Sequence, residues 1–210
     1  MLVRIVLAED HAVVRQGLSA LLQRESFQVA GEASDGLQAI ALVSSLQPDI
    51  AILDVRMPIL NGLDAANQLQ KCCPKTKVIL LTGHDEDQYV TEALRAGVKG
   101  YVLKNQMAND LMQAIREVLR GGIYLSPGIS RAVVQAYLSK TTLEADPLTS
   151  REPQILQLIA EGQSSKDIAA LLGISGKTAE AHRARIMQKL DLHRTASLVR
   201  YAIRHGLLEP

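Results

Sequence analysis

The sequence has few of the residues that typify disulfide-rich or membrane proteins. It has no tryptophan, aromatic residues make up 3% of the chain, and its two cysteines, Cys72 and Cys73, are adjacent. An adjacent pair has neither the number of a disulfide framework nor the spacing of a zinc site, so we expect reduced thiols in a cytoplasmic protein. The longest apolar runs fall short of the roughly 18 residues of a membrane helix. The first run meets Glu9 and Asp10 too early for a signal peptide.

The distribution of charge along the chain is more informative than its sum. The chain has 210 residues, enough for two small domains, and its net charge of +1 identifies no partner. Acidic residues slightly outnumber basic ones before residue 124, whereas basic residues outnumber acidic ones after residue 146. This reversal of sign favours two domains with different partners.

Short β-rich runs alternate with helical patterns in the first part of the chain, which predicts a parallel sheet with helices on both faces. The Gly121-Gly122 pair closes this domain at residue 122. The predicted strands are 3–8, 28–33, 50–54, 77–82 and 100–103, and the predicted helices are 12–24, 36–47, 63–71, 88–96 and 108–120.

A connector and a helical domain are predicted to follow. Ser126 and Pro127 can begin a connector helix at about 127–139, and residues 141–147 are typical of an exposed linker, so 123–146 is the predicted connecting segment. From residue 147 the pattern predicts four short helices up to residue 210, and Thr149 has capping-box spacing before the first of them.

Polar side chains lie where four of the predicted strands end. Because ligands bind at the carboxyl ends of the strands in an open parallel sheet, we expect these side chains to share one cleft. Clustered carboxylates favour a hard cation such as Mg²⁺, and an aspartate can be the nucleophile in phosphoryl transfer. A single strand-end aspartate is more often a turn residue. The hypothesis therefore rests on the occurrence of such side chains at four strand ends together. The residues are Glu9 and Asp10, Asp54, Thr82 and Lys104.

At these positions the sequence resembles a response-regulator receiver domain, through AEDH (8–11), LDVRMPILNG (53–62), LLTG (80–83) and GYVLK (100–104). The resemblance implies a doubly wound, flavodoxin-like α/β fold with five parallel strands in the order 2-1-3-4-5. It implies that Asp54 accepts phosphate from a sensor histidine kinase, that Lys104 and Thr82 contact the phosphate, and that Tyr101 is a switch residue. The implied Mg²⁺ ligands are Glu9 through water, Asp10, Asp54 and the backbone carbonyl of Arg56. His84, two residues after Thr82, is a further candidate for setting the phosphate lifetime.

The second domain has the pattern of a helix-turn-helix, with the turn at Gly173. Its second helix, about 176–190, is basic on its exposed side, which suits a phosphate backbone. By helical period its core face carries Ala179, Ile186 and Leu190. A solvated amphipathic helix would show the same pattern, so the helix alone leaves both interpretations open.

The segments LTSRE, SSKDIA, LGISGKTAEAHR and IMQKL resemble the LuxR-type helix-turn-helix of the NarL/FixJ subfamily, over residues 147–208. The resemblance implies a homodimer, when phosphorylated, on double-stranded promoter DNA, with the helix near 195–205 at the dimer interface. It places Glu180, Ala181 and Ala184 at the bases. The implied DNA-backbone contacts are Lys166, Lys177, Thr178, His182, Arg183, Arg185 and Lys189.

The resulting hypothesis is a phosphorylation-switched transcription factor that catalyses only its own phosphotransfer and dephosphorylation. In the resting state the receiver is expected to cover the recognition helix. An aspartyl-phosphate phosphatase would need a second acid two residues after Asp54, where Arg56 stands. An adaptor that binds protein or RNA is the other alternative, and the exposed Lys177 and Arg185 disfavour it.

Overall fold

The computed structural model describes residues 2–83, 90–95, 97–127, 129, 148, 151–204 and 207–208. The chain divides into two compact units, 1–142 and 143–210. The predicted domain boundaries at residues 122 and 146 stay predictions, because residues 130–147 lie outside the described ranges. His84, most of the predicted connector helix, the linker and Thr149 lie outside them too. Among the described helices, none is long and apolar enough to cross a membrane.

The first unit is a parallel sheet flanked by helices, as the alternating pattern predicts, and its strand order is β2-β1-β3-β4-β5-β6. The strands are β1 (Arg4–Ala8), β2 (Gln28–Ala33), β3 (Ile50–Asp54), β4 (Lys77–Thr82), β5 (Gly100–Leu103) and β6 (Tyr124–Leu125). The helices are α1 (Ala12–Arg24), α2 (Gly36–Leu46), α3 (Gly62–Cys72), α4 (Val90–Arg95) and α5 (Met107–Leu119), with a 3₁₀ turn at Lys104–Gln106.

The central strand β3 shows why the sheet needs helices on both faces. All five of its residues are buried. Ala51 and Leu53 pack into one hydrophobic cluster with α2 and α3, whereas Ile50 and Ile52 pack into a second cluster with α1 and α5. A strand apolar on successive residues is covered on both sides, so the polar ends of the strands are left as the place for chemistry.

The prediction of five strands was wrong, because β6 adds a sixth to the edge of the sheet. Tyr124 donates its backbone N–H to the carbonyl of Lys99 at 2.9 Å, and Ser126 donates its own to the carbonyl of Tyr101 at 3.0 Å. β6 has only two residues, which are too few to show an alternating pattern, so sequence periodicity could not reveal this strand.

The second unit contains four described helices, α6 (Glu152–Ala160), α7 (Ser165–Leu172), α8 (Gly176–Lys189) and α9 (Thr195–Arg204). Ser164 and Asp167 form a capping box at the start of α7. Gly173 ends that helix in the left-handed conformation (φ 64°), which glycine adopts without steric cost. Ser175 then caps α8 by accepting the Thr178 N–H. The caps at Gly173 and Ser175 fix the tight turn of the predicted helix-turn-helix.

Candidate functional site

The strand registers bring the predicted site residues to one edge of the sheet. Ala8 of β1 pairs with Leu53 of β3, so Glu9 emerges next to Asp54. Asp54 pairs with Leu81, one residue before Thr82, and Thr82 pairs with Leu103, one residue before Lys104. The register alone therefore aligns the four strand ends that the sequence singles out.

The side chain of Lys104 joins two buried carboxylates. Its Nζ lies 2.9 Å from Asp54 Oδ2 and 3.0 Å from Glu9 Oε2. Glu9 is fully buried and Asp54 is 2% exposed. Burial acts to lower the pKa of Lys104, but the charge of Asp54 and hydrogen bonds to Asp54 and Glu9 outweigh it and leave that pKa raised. The ammonium therefore stays charged and compensates carboxylates that would otherwise repel each other.

Asp10 lies at the more open side of this cluster. Its Oδ1 is 2.8 Å from His11 Nδ1, which also lies 3.2 Å from Glu9 Oε1. The charge of Asp10, with Glu9 adding to it, raises the pKa of the His11 imidazole. Ligand atoms of Glu9, Asp10 and His11 all lie within 4.8 Å of one another. The oxygen-rich donors of Glu9, Asp10 and Asp54 fit a hard divalent cation such as Mg²⁺.

The other two predicted receiver residues lie on β4 and β5. Thr82 is fully buried, and its hydroxyl donates to the carbonyl of Gly83 at 3.1 Å. Tyr101 is fully buried among the apolar side chains that cover one face of the sheet. The role of Tyr101 as a switch residue stays a prediction.

The loop after Asp54 is packed tightly against its backbone. Gly62 donates its N–H to the carbonyl of Val55 at 2.9 Å, and a Cβ on Gly62 would lie 2.0 Å from the Asp54 carbonyl oxygen. Ile59 has φ of 68°, a strained conformation for a β-branched residue and one that clusters near functional sites. Close packing therefore fixes the backbone that carries Asp54 and Arg56.

Most of the predicted DNA-contacting residues, on α7 and α8, are exposed. The two core positions Ala179 and Ile186 are buried as predicted, and Leu190 is half-buried. His182 and Arg183 are half-buried, and the remaining predicted residues are exposed: Lys166, Lys177, Thr178, Glu180, Ala181, Ala184, Arg185 and Lys189.

Two of these basic residues have partners within the helical unit. Lys189 Nζ lies 2.6 Å from Glu152 Oε2, and the Glu152 side chain is only 3% exposed. Arg183 donates from Nη2 to Thr195 Oγ1 at 2.7 Å. Lys189 thus ties the end of α8 to the start of α6, and Arg183 ties α8 to the start of α9. Both residues position the helix as well as adding to its charge.

Sequence reasoning missed a group of supporting residues. Ser126, predicted as a helix cap, is fully buried; its Oγ accepts the Leu103 N–H at 3.2 Å and donates to Asp110 Oδ2 at 2.5 Å. Burial, followed by the charge of Asp110 and a hydrogen bond to it, raises the pKa of Tyr124 to about 12. These contacts join β6 to β5, the strand that carries Tyr101 and precedes Lys104. They link residues far apart in the chain, so local patterns could not reveal them.

Both units match known families. The model of the response regulator receiver domain matches residues 5–116, and that of the bacterial regulatory proteins of the luxR family matches residues 146–202. A doubly wound sheet with paired charges at its strand ends, followed by a helix-turn-helix, defines a two-domain regulator. The chain belongs to the response regulators, specifically to the NarL/FixJ type with a receiver and a LuxR-type DNA-binding domain.

Relatives resemble the chain over nearly its whole length. The oxygen regulatory protein NreC of Staphylococcus carnosus is 41% identical over 98% of this chain and 99% of its own. One solved relative is RcsB from Salmonella enterica serovar Typhimurium, bound to the rprA promoter in the presence of the phosphomimetic BeF₃⁻. It is 25% identical, with a TM-score of 0.63, and the match covers 96% of this chain and 98% of that chain. The response regulator ChrA of a heme-sensing two-component system is 29% identical, with a TM-score of 0.54 and 99% of both chains covered.

Proposed function

We propose that Asp54 is the phosphoacceptor of this response regulator and that a sensor histidine kinase is its phosphodonor. The observation that carries the proposal is the buried contact of Asp54 with Lys104 at 2.9 Å, beside the fully buried Glu9. An isolated turn aspartate would be solvated and would gain nothing from such a partner. The relative solved with a phosphomimetic adds support from outside the chain.

In the proposed reaction, a carboxylate oxygen of Asp54 attacks the phosphorus of a phosphohistidine. A new P–O bond forms, the P–N bond breaks, and the departing imidazole nitrogen keeps the electron pair and takes up a proton. Lys104 then shifts its ion pair from the Asp54 carboxylate to the phosphoryl oxygens, and the Thr82 hydroxyl turns from the Gly83 carbonyl towards them. Hydrolysis of the acyl phosphate, by attack of water on phosphorus, returns Asp54 to its carboxylate.

Mg²⁺ fits the proposal through the donors that surround Asp54. Asp10, Asp54 and the backbone carbonyl of Arg56 would hold it directly, and Glu9 would hold it through water. When bound, the ion neutralises negative charge on the transferring phosphoryl group. Lys104 also balances the charges of Asp54 and Glu9.

The output of the proposed switch is promoter binding by a homodimer. Exposed basic side chains on α7 and α8 suit the DNA backbone, and the small side chains of Ala181 and Ala184 allow close approach to base edges. Val199 and Ile203 are only half-buried on α9, which suits a second copy of this helix. We propose that phosphorylation releases α8 and promotes this dimer. Such a regulator works in the cytoplasm, where bacterial promoters lie.

The test compares DNA binding with and without the small phosphodonor acetyl phosphate. Wild type and Asp54→Ala are titrated against genomic promoter fragments recovered by footprinting, and their masses are followed by sedimentation. We expect the donor to raise affinity and dimer content in wild type only. Asp49→Ala is the matched control, because Asp49 precedes the opposite end of β3 and accepts the Arg4 N–H there.

Affinity that is identical in wild type and Asp54→Ala, with and without the donor, would overturn the switch. Covalent phosphate that persists in Asp54→Ala would move the acceptor to another residue. A donor response in Asp49→Ala equal to that of wild type is required for the effect to be assigned to the Asp54 end of the strand.

A further inference from the structure

The backbone of Glu9 is held on both sides of its Cα. Its N–H donates to the carbonyl of Ala33 on β2 at 3.1 Å. Its carbonyl accepts from Nη1 of Arg15, on the first turns of α1, at 2.6 Å, and the same Nη1 lies 3.4 Å from the carbonyl oxygen of Asp10. One guanidinium therefore contacts the backbone of both members of the acid pair.

Arg15 is itself braced against the sheet. Its Nε lies 3.5 Å from Glu32 Oε2 on β2, and its side chain is 21% exposed. The other Glu32 oxygen, Oε1, accepts from the hydroxyl of the buried Ser19 at 2.8 Å. Glu32 pairs in register with Leu7 of β1, two residues before Glu9. The brace thus runs from β2 through α1 to the loop that follows β1.

We propose that Arg15 is a positioning residue that fixes the Glu9–Asp10 backbone for Mg²⁺ binding, with Glu32 and Ser19 orienting its guanidinium. The inference rests on the proposed metal site and extends it to residues that do not touch the ion. A rigid fork with several donors suits this role, because it can bind backbone carbonyls and a carboxylate together. Outer-shell contacts of this kind orient metal ligands.

The sign of the effect separates positioning from simple electrostatics. Arg15 carries a positive charge near the site of a divalent cation. If its charge alone mattered, its removal would relieve repulsion and tighten Mg²⁺ binding. If it positions the ligands, its removal weakens Mg²⁺ binding although a repelling charge has gone. The two roles predict changes in opposite directions.

The experiment measures the Mg²⁺ dissociation constant of the full chain by calorimetry, for wild type, Arg15→Gln, Arg15→Lys and Glu32→Gln. We expect a rise of about tenfold for Arg15→Gln, as for other outer-shell contacts, and smaller rises for the other two. Arg24→Gln is the matched control, since Arg24 ends the same helix and is 75% exposed beside Glu25. It makes the same change of charge away from the acid pair and should leave the constant unchanged.

A second readout separates positioning from a general loss of structure. The rate of phosphorylation by acetyl phosphate is measured against Mg²⁺ concentration. Arg15→Gln should need more Mg²⁺ but reach the wild-type rate at saturation. A lower rate at every concentration would overturn the positioning role.

The outcomes also separate this inference from the proposed function. If wild type binds Mg²⁺ and Arg15→Gln binds it equally or more tightly, Arg15 does not position the ligands, and the phosphoacceptor proposal stands. If wild type binds no Mg²⁺, the proposed metal site fails and the inference fails with it. Should Arg15→Gln not fold, Arg15→Lys decides the question, because it keeps the positive charge and removes the fork that holds the two carbonyls.

Discussion

The charges of the receiver cleft and those of the recognition helix α8 differ in their surroundings. In the cleft, Glu9 and Asp54 are buried and share the ammonium of Lys104. On α8, Lys177 and Arg185 are exposed. Buried charges interact strongly and leave a large penalty when a partner is removed. Exposed charges are screened by salt and act almost independently.

This difference suits the two proposed tasks. A phosphoryl site must hold a few groups in one geometry, because phosphoryl transfer depends on positioning and charge compensation. A DNA-binding face gains affinity from many phosphate contacts, each of which contributes a little. Single substitutions should therefore have large effects in the cleft and graded effects on the exposed face of α8.

The largest effect is expected for Lys104→Met. Without the ammonium, Glu9 and Asp54 lie buried side by side, so the free energy of unfolding in EDTA should fall by about 3 kcal/mol, as when one partner of a buried pair is lost. Mg²⁺ should restore part of the loss by replacing the missing cation, whereas phosphorylation should stay impaired. Denaturant unfolding with EDTA or Mg²⁺ measures both states. Lys75→Met, at an exposed lysine, is the control. A midpoint equal to that of wild type in EDTA would show that the buried acids do not need Lys104.

A second test compares backbone packing in the two units through Gly62→Ala and Gly176→Ala. A Cβ on Gly62 would lie 2.0 Å from the Asp54 carbonyl oxygen, whereas a Cβ on Gly176 would meet nothing within 4 Å. We expect Gly62→Ala to lower the free energy of unfolding by about 2 kcal/mol and to slow phosphorylation, because the backbone of Asp54 must shift. Gly176→Ala should leave stability unchanged or raise it by about 0.5 kcal/mol. Equal stability of the two variants would mean that the loop adapts freely.

Whether a sequence prediction succeeded depends on how far apart in the chain the contacting residues lie. Asp54, Thr82 and Lys104 could be placed because parallel strands align their carboxyl ends, so a local pattern fixes a tertiary site. The turn at Gly173 could be placed because a glycine that ends a helix acts within a few residues of the helix end. Arg15 and Ser126 could not, because their partners lie on other elements. The family resemblance implied that Lys189 contacts the DNA backbone, yet its ammonium lies against Glu152.

Lys189 therefore offers a third test, since it belongs to the helix of exposed charges but has a buried partner. Lys189→Met should lower the free energy of unfolding by about 1.5 kcal/mol, because the carboxylate of Glu152 is left buried without its ammonium. The salt dependence of DNA binding should change little. Glu152→Gln, which keeps a neutral acceptor, should cost less. Unfolding curves and DNA titrations at several salt concentrations measure both effects, and unchanged stability with a reduced salt dependence would assign Lys189 to the DNA backbone instead.

The smallest effect on stability is expected for Lys177→Gln, which completes the comparison. Lys177 is exposed on the first turn of α8, so its loss should change the free energy of unfolding by less than about 0.5 kcal/mol. If it contacts a phosphate, the slope of log affinity against log salt should fall by about 0.9, and affinity should drop similarly for all DNA sequences. Lys75→Gln in the receiver is the matched control, because it makes the same change at an exposed lysine outside the helical unit. An unchanged slope for Lys177→Gln would mean that the α8 face does not lie along the DNA backbone at this end. The contrast between a cleft of coupled charges and a face of independent ones would then hold for the cleft alone.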